Sequence, residues 1–215
     1  MPDLTRGQLV EAFGDDGVRR FGALPDGVPH EETRRFLIDV GLPENLRDNF
    51  LYLPHFKPLP ERYAEVGDWT WDMPGDAANW YVLGGFFGGD LAVNGTDGRV
   101  FFLPEWDEPP QPLHSGVDSL AYFMYVFQRD RYYYSQGYAK TVEDDPGDQR
   151  EEIDVFVDTA RRIATELMEV DSTPFTVDAL PPFTHGDMDS EPFPDDFAGP
   201  WTLAFEDIAG GMWSG

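Results

Sequence analysis

Between Trp80 and Trp106, three short apolar runs alternate with two glycine-bearing breaks, and this constrains the fold more than any other stretch. The runs are 80–83, 91–93 and 100–103, rich in aromatic and β-branched residues, as strands are. Gly88-Gly89-Asp90 parts the first two, and Asn94-Gly95-Thr96-Asp97-Gly98 parts the second and third. Asn-Gly and Asp-Gly supply the positive φ that tight hairpin connections require. The pattern predicts an antiparallel meander with helices before and after it packed on one face. The glycines of 84–89 read as a wide turn or bulge between strands, because no Lys-Ser/Thr or helix follows to make a phosphate loop.

Helical periodicity supplies the flanks. Thr5-Arg6-Gly7-Gln8 fits a capping box and predicts a helix over 5–13. A second helix is expected near 29–40, with Pro29, Glu31 and Glu32 in its first turn and Gly41 ending it. Leu120, Phe123, Met124 and Phe127 recur on one face of a third, at 117–130, which Tyr132–Tyr134 close. Ile153, Phe156, Val157, Ala160, Ile163, Ala164 and Leu167 give a long helix over 149–169 that Asp148 can cap. Trp201, Ala204, Phe205 and Ile208 share a face of a last short helix. Phe50, Tyr52 and Leu53 look buried. Residues 61–79 and 107–112 read as irregular, 143–149 as an acidic loop, and 171–198 as an irregular acidic segment rich in Pro and Phe. No repeat or linker divides the chain, so a single domain over 1–215 is expected.

Charge narrows the partners. The 215 residues hold 41 Asp and Glu against 15 Lys and Arg, a net charge of −26, and no Lys or Arg follows Arg162. Such a surface repels nucleic acid and anionic membrane and draws in a basic protein. The same charge also serves solubility alone. The absence of Cys excludes disulfides and thiolate metal sites. Without a long apolar run or an apolar leader, the expected location is cytoplasmic.

Catalytic patterns do not assemble. The four His are scattered without a His-x-x-x-His pair, and Asp187-Met-Asp189-Ser-Glu191 lacks the glycine and closing glutamate of a calcium loop. Ser115 and Ser119 sit outside any Gly-x-Ser-x-Gly elbow. No catalytic residue, metal or cofactor is predicted. Tyr132–Tyr134 could stack bases, but nucleic-acid aromatics come with basic patches, so packing at a helix end is the reading preferred. Trp69, Trp71 and Trp106 lie on irregular segments beside Asp72, Glu105, Asp107 and Glu108. Aromatic anchors ringed by charge suit a protein-binding surface, and cover for the sheet edge is the competing role.

Taken in order, several motifs resemble the SUKH superfamily. They are Phe36-Leu37-Ile38-Asp39-Val40-Gly41-Leu42-Pro43, the strands Tyr81–Gly85 and Gly89–Val93, Gly98-Arg99-Val100-Phe101-Phe102-Leu103, and Ser119-Leu120-Ala121-Tyr122-Phe123. Phe205-Glu-Asp-Ile208 with Trp213 is similar to the SUKH-4 subgroup. The resemblance implies an α+β fold with a curved antiparallel sheet. It also implies a non-enzymatic immunity protein that binds a cognate toxin domain, often a nuclease or deaminase, inside the producing cell. A basic toxin cleft meant for phosphate would suit the acidic surface. A scaffold without a toxin partner, and a hydrolase using paired carboxylates, are the alternatives.

Overall fold

The computed structural model describes residues 2–47, 50–66, 72–105, 108–175 and 200–215. Two compact units divide the chain, Met1–Tyr125 and Val126–Gly215, the division falling inside a helix. The protein is α+β, with an open antiparallel sheet.

In the first unit, helix α1 (Arg6–Phe13) opens on the expected box: the Thr5 hydroxyl accepts from Gln8 N at 3.4 Å, and Gln8 Oε1 accepts from Thr5 N at 2.9 Å. A two-residue strand β1 (Val18–Arg19) follows, then α2 (Glu31–Asp39), whose N-cap is His30 and which Gly41, at φ +93°, ends. Strand β2 (Leu42–Pro43) pairs with β1. The main sheet comprises β3 (Asn45–Leu46), β4 (Leu51–Tyr52), β5 (Lys57–Pro58), β6 (Trp80–Phe86), β7 (Gly89–Asn94), β8 (Val100–Pro104) and β9 (Gln111–His114). Its spatial order is β3-β4-β6-β7-β8-β9, with β5 also on β6, every pair antiparallel.

The meander is where the apolar runs put it, with two changes at its turns. The β6–β7 turn is Phe87-Gly88, two residues with Gly88 at φ +81°, so Gly89 and Asp90 belong to β7. The register slips between Val82 and Gly84, the bulge the glycine run suggested. In the β7–β8 loop only Gly98 takes positive φ, at +80°. Gly95 is needed for close approach instead: its N–H donates to Asn79 O at 2.7 Å and its carbonyl accepts from His30 N at 3.0 Å.

Helices do not pack on one face alone. All six residues of β7 are buried, so both faces are covered. On one face, Val82, Ala92 and Leu103 form a core with Trp80, Ala77 and Leu59, and Tyr63 packs against it. Leu59 and Tyr63 belong to α3 (Leu59–Val66), a helix inside the stretch read as irregular or connecting. On the other face, Phe50 meets Phe86 edge-on at 5.2 Å. Buried His114, paired with Val100, meets Phe123 at 4.6 Å. Phe123 lies on α4 (Val117–Arg129). β9 itself includes residues 111–112 of the expected loop.

In the second unit, a 3-10 turn over Arg131–Tyr134 leads to α5 (Gln136–Glu143), which sequence periodicity did not reveal. Then come α6 (Glu152–Val170) and α7 (Pro200–Ala209). Glu151, not Asp148, caps α6, closing a box with Asp154. Asp148 instead accepts from Arg150, whose guanidinium and backbone N–H hold its carboxyl down to about 2. Ile153, expected on the apolar face, is exposed. The inward face of α6 is Phe156, Ala160, Ile163, Ala164 and Leu167. Trp201 of α7 stacks on Phe127 at 5.2 Å and 6°. Of the three tyrosines expected to pack, only Tyr134 is buried, its hydroxyl donating to Phe127 O at 2.7 Å; Tyr132 and Tyr133 are exposed.

Candidate protein-binding surface

Two loops of the first unit carry the acids expected to bind. The first runs from α3 into β6. Asp72 and Met73 are exposed on it, and Asp72 lies close enough to Tyr63 to act on its phenol. Burial pushes that phenol's pKa up, and the carboxylate of Asp72 adds to the rise. Asp76 anchors the loop's end, accepting from the Trp80 indole at 3.0 Å and from Asn94 Nδ2 at 3.3 Å. Trp80 is thus core, as expected, and its ring lies 4.4 Å from Phe101.

The second loop joins β8 to β9. Glu105 and Glu108 are both exposed on it. Glu105 N–H donates to Gly88 O at 3.0 Å, which ties Glu105 to the β6–β7 turn. Glu108 Oε2 accepts from Gln111 at 2.7 Å, which fixes it at the start of β9. Glu105 and Glu108 thus share the β8–β9 loop, and Asp72 is on the other loop, near Tyr63 of α3. Trp69, Trp71, Trp106 and Asp107 lie outside the described residues.

Sequence reasoning missed Phe87, Tyr52 and Met73. Phe87, at the tip of the β6–β7 turn next to the Gly88 that Glu105 binds, is 58% exposed. Tyr52, expected to be buried, is 44% exposed, opposite Gly85 on the neighbouring strand. The signal for Phe87 was available: an aromatic residue inside a two-residue glycine turn has no strand neighbour to cover it.

Among the described residues, no group of three or more His, Asp or Glu side chains could hold a metal ion. The His114–Ser119 pair has its atoms 2.9 Å apart, but both side chains are fully buried, so no substrate reaches the hydroxyl. No helix among the described residues is long and apolar enough to cross a membrane.

The fold is α+β with an open antiparallel sheet, and its loops expose Phe87 and Met73 along with Asp72, Glu105 and Glu108. The SUKH-4 immunity protein family matches residues 4–204, spanning both units, and the chain belongs to that family. Neither a curated protein nor a solved structure matches it.

Proposed function

We propose that this immunity protein neutralises a cognate toxin domain of nuclease or deaminase type by covering its basic cleft, without bond-breaking chemistry of its own. The single observation that carries the reading is the family match over residues 4–204. The charge of −26 supports the basic partner, because a cleft built for phosphate attracts carboxylates as well. In this reading Trp69, Trp71 and Trp106 are anchors, joined by the exposed Phe87 and Met73, and Asp72, Glu105, Asp107 and Glu108 provide the charge.

Co-expression with the toxin domains encoded upstream of the gene tests it directly: cells carrying the wild-type chain should survive the matching toxin. Changing Asp107→Lys together with Glu108→Lys should slow association about tenfold and flatten its dependence on salt. An association rate that does not move removes the β8–β9 loop from the interface. Equal killing with and without the wild-type chain, across every neighbouring toxin domain, defeats the function itself.

A further inference from the structure

One cross-strand row of the sheet runs Asn45, Tyr52, Gly85, Asp90, Leu103. Residues directly opposite one another share a face, so all five lie on the side that α3 packs against. Cover fades along the row. Leu103 is fully buried in the core that includes Leu59 of α3. Asp90 is closed over by Arg62 of the same helix, with Nε to Oδ2 at 2.8 Å and Nη2 to Oδ1 at 3.4 Å. Gly85 is half-buried, and Tyr52 and Asn45 are exposed.

Gly85 stands out against its neighbours. A Cβ on Gly84 would strike Tyr52 O, and one on Gly89 would strike Leu103 O, so the fold itself demands those two glycines. A Cβ on Gly85 would meet nothing nearer than Gly89 O at 4.0 Å among the described residues, and its φ is not positive. A glycine inside a strand gives up about 0.5–1 kcal/mol, and it often marks a bulge, a bend or a place where a ligand or another backbone approaches closely; the register slip of this strand falls before Gly85, between Val82 and Gly84. Neither sterics nor backbone conformation within the described chain explains Gly85.

We infer that Gly85 is the floor of a docking slot for an extended segment of the basic toxin, walled by Tyr52 on one side and the Arg62–Asp90 pair on the other, with Phe87 at its end. Tyr52 and Asp90 flank β6 on either side, which sets the walls roughly 10 Å apart at the backbone. That spacing admits one extended chain or a single inserted side chain. An α-helix, about 10–12 Å across with its side chains, does not fit. Charge selects the occupant: the net charge is −26, and Glu105 is exposed beside the turn that carries Phe87. The slot rests on the proposed immunity function for the identity of its partner. It adds where contact falls and what shape the toxin presents.

The test is Gly85→Val, measured against the catalytically inactivated toxin domain encoded beside the gene. Among the described residues nothing lies nearer than 4.0 Å to the added Cβ, and a β-branched residue suits a strand, so the melting temperature should equal or exceed that of the wild type. Affinity should fall about 30-fold or more. Tyr52→Ala, at an exposed wall, should keep the melting temperature and weaken binding about tenfold. Wild-type binding with either variant within twofold of it overturns the slot and leaves the immunity function standing. A Gly85→Val chain that melts lower overturns it too, because the glycine would then serve the fold. Failure of the wild type to bind any neighbouring toxin overturns the immunity function, and the slot with it.

Discussion

Replacing Asp130 with Asn tests how the second unit is held together. The Asp130 side chain is 4% exposed. It accepts from Arg129 Nε and Nη2 at 2.7 and 2.9 Å and from Arg162 Nη1 at 2.7 Å. Arg129 also forks onto Glu166 at 2.9 and 2.7 Å, and the Arg162 guanidinium lies 5.2 Å from the centre of the Tyr133 ring. One carboxylate thus joins the end of α4 to α6. An amide keeps one acceptor oxygen and turns two N–H donors toward guanidinium groups. Breaking a fully buried pair costs about 3–5 kcal/mol. Here the arginines are 34% and 46% exposed, so water recovers part of it, leaving a loss of about 2–3 kcal/mol. For a chain of this length that lowers the melting temperature by about 4–12 °C. The pH dependence gives a second readout. Burial pushes the Asp130 carboxyl up, but the hydrogen bonds from Arg129 and Arg162 outweigh it and hold the group below its ordinary 3.8. A depressed folded pKa means stabilisation that is full above the unfolded value and lost as pH falls through the folded one. The gap between wild type and variant should therefore stay constant from about pH 7 to 5 and close below about pH 4. Thermal scans by circular dichroism measure both. A neutral-pH shift under about 1 °C, or a gap that widens in acid, refutes the reasoning.

Two further substitutions separate local from long-range effects. Gly84→Ala puts a methyl against Tyr52 O and 2.7 Å from Leu53 Cα, backbone that cannot step aside, and should cost about 1–3 kcal/mol in a urea titration. Its neighbour Gly85→Val should cost nothing, so the pair reads out which glycine the fold needs. Thr5→Ala removes one half of the α1 box and should cost about 1 kcal/mol, while Thr5→Ser restores most of it.

How much of this could be read from the chain depended on whether the signal was local. The Thr5–Gln8 box and the Gly41 stop are decided within five residues, and both came out as expected. The meander followed because its strands are separated by loops of two to five residues. α3 and α5 were hidden for opposite reasons. α3 begins Leu-Pro-Glu after a strand of only two residues, so its entry resembled a proline connector. α5 buries only Ala139 and Val142, too few for a period to show. Asp148 looked like a cap because acids precede helices, but Arg150 lies two residues away and takes it first. At the proposed binding surface, exposure of Asp72, Glu105 and Glu108 followed from charge. Exposure of Tyr52 did not, because it depends on which elements cover its side of the sheet, which no local pattern encodes.

The large negative charge acts on stability and on binding in opposite directions. Several of the scarce bases are committed within the molecule: Arg6 to Asp15, Arg19 to Glu44, Arg62 to Asp90, Arg129 to Asp130 and Glu166, Arg150 to Asp148 and Asp158. Their partners are therefore spent, and the surplus of carboxylates remains outward, where like charges repel one another and attract a basic surface. Salt weakens both effects, since at about 0.5 M exposed charges feel one another only over a few ångström. Raising salt from about 0.05 to 0.5 M should thus raise the melting temperature of the free chain while slowing its association with the toxin. The buried Asp130 pairs are screened far less, so the penalty of Asp130→Asn should persist at high salt. A melting temperature that falls with salt would mean that surface ion pairs, and not carboxylate repulsion, dominate. In that case the charge would not be held in reserve for a partner.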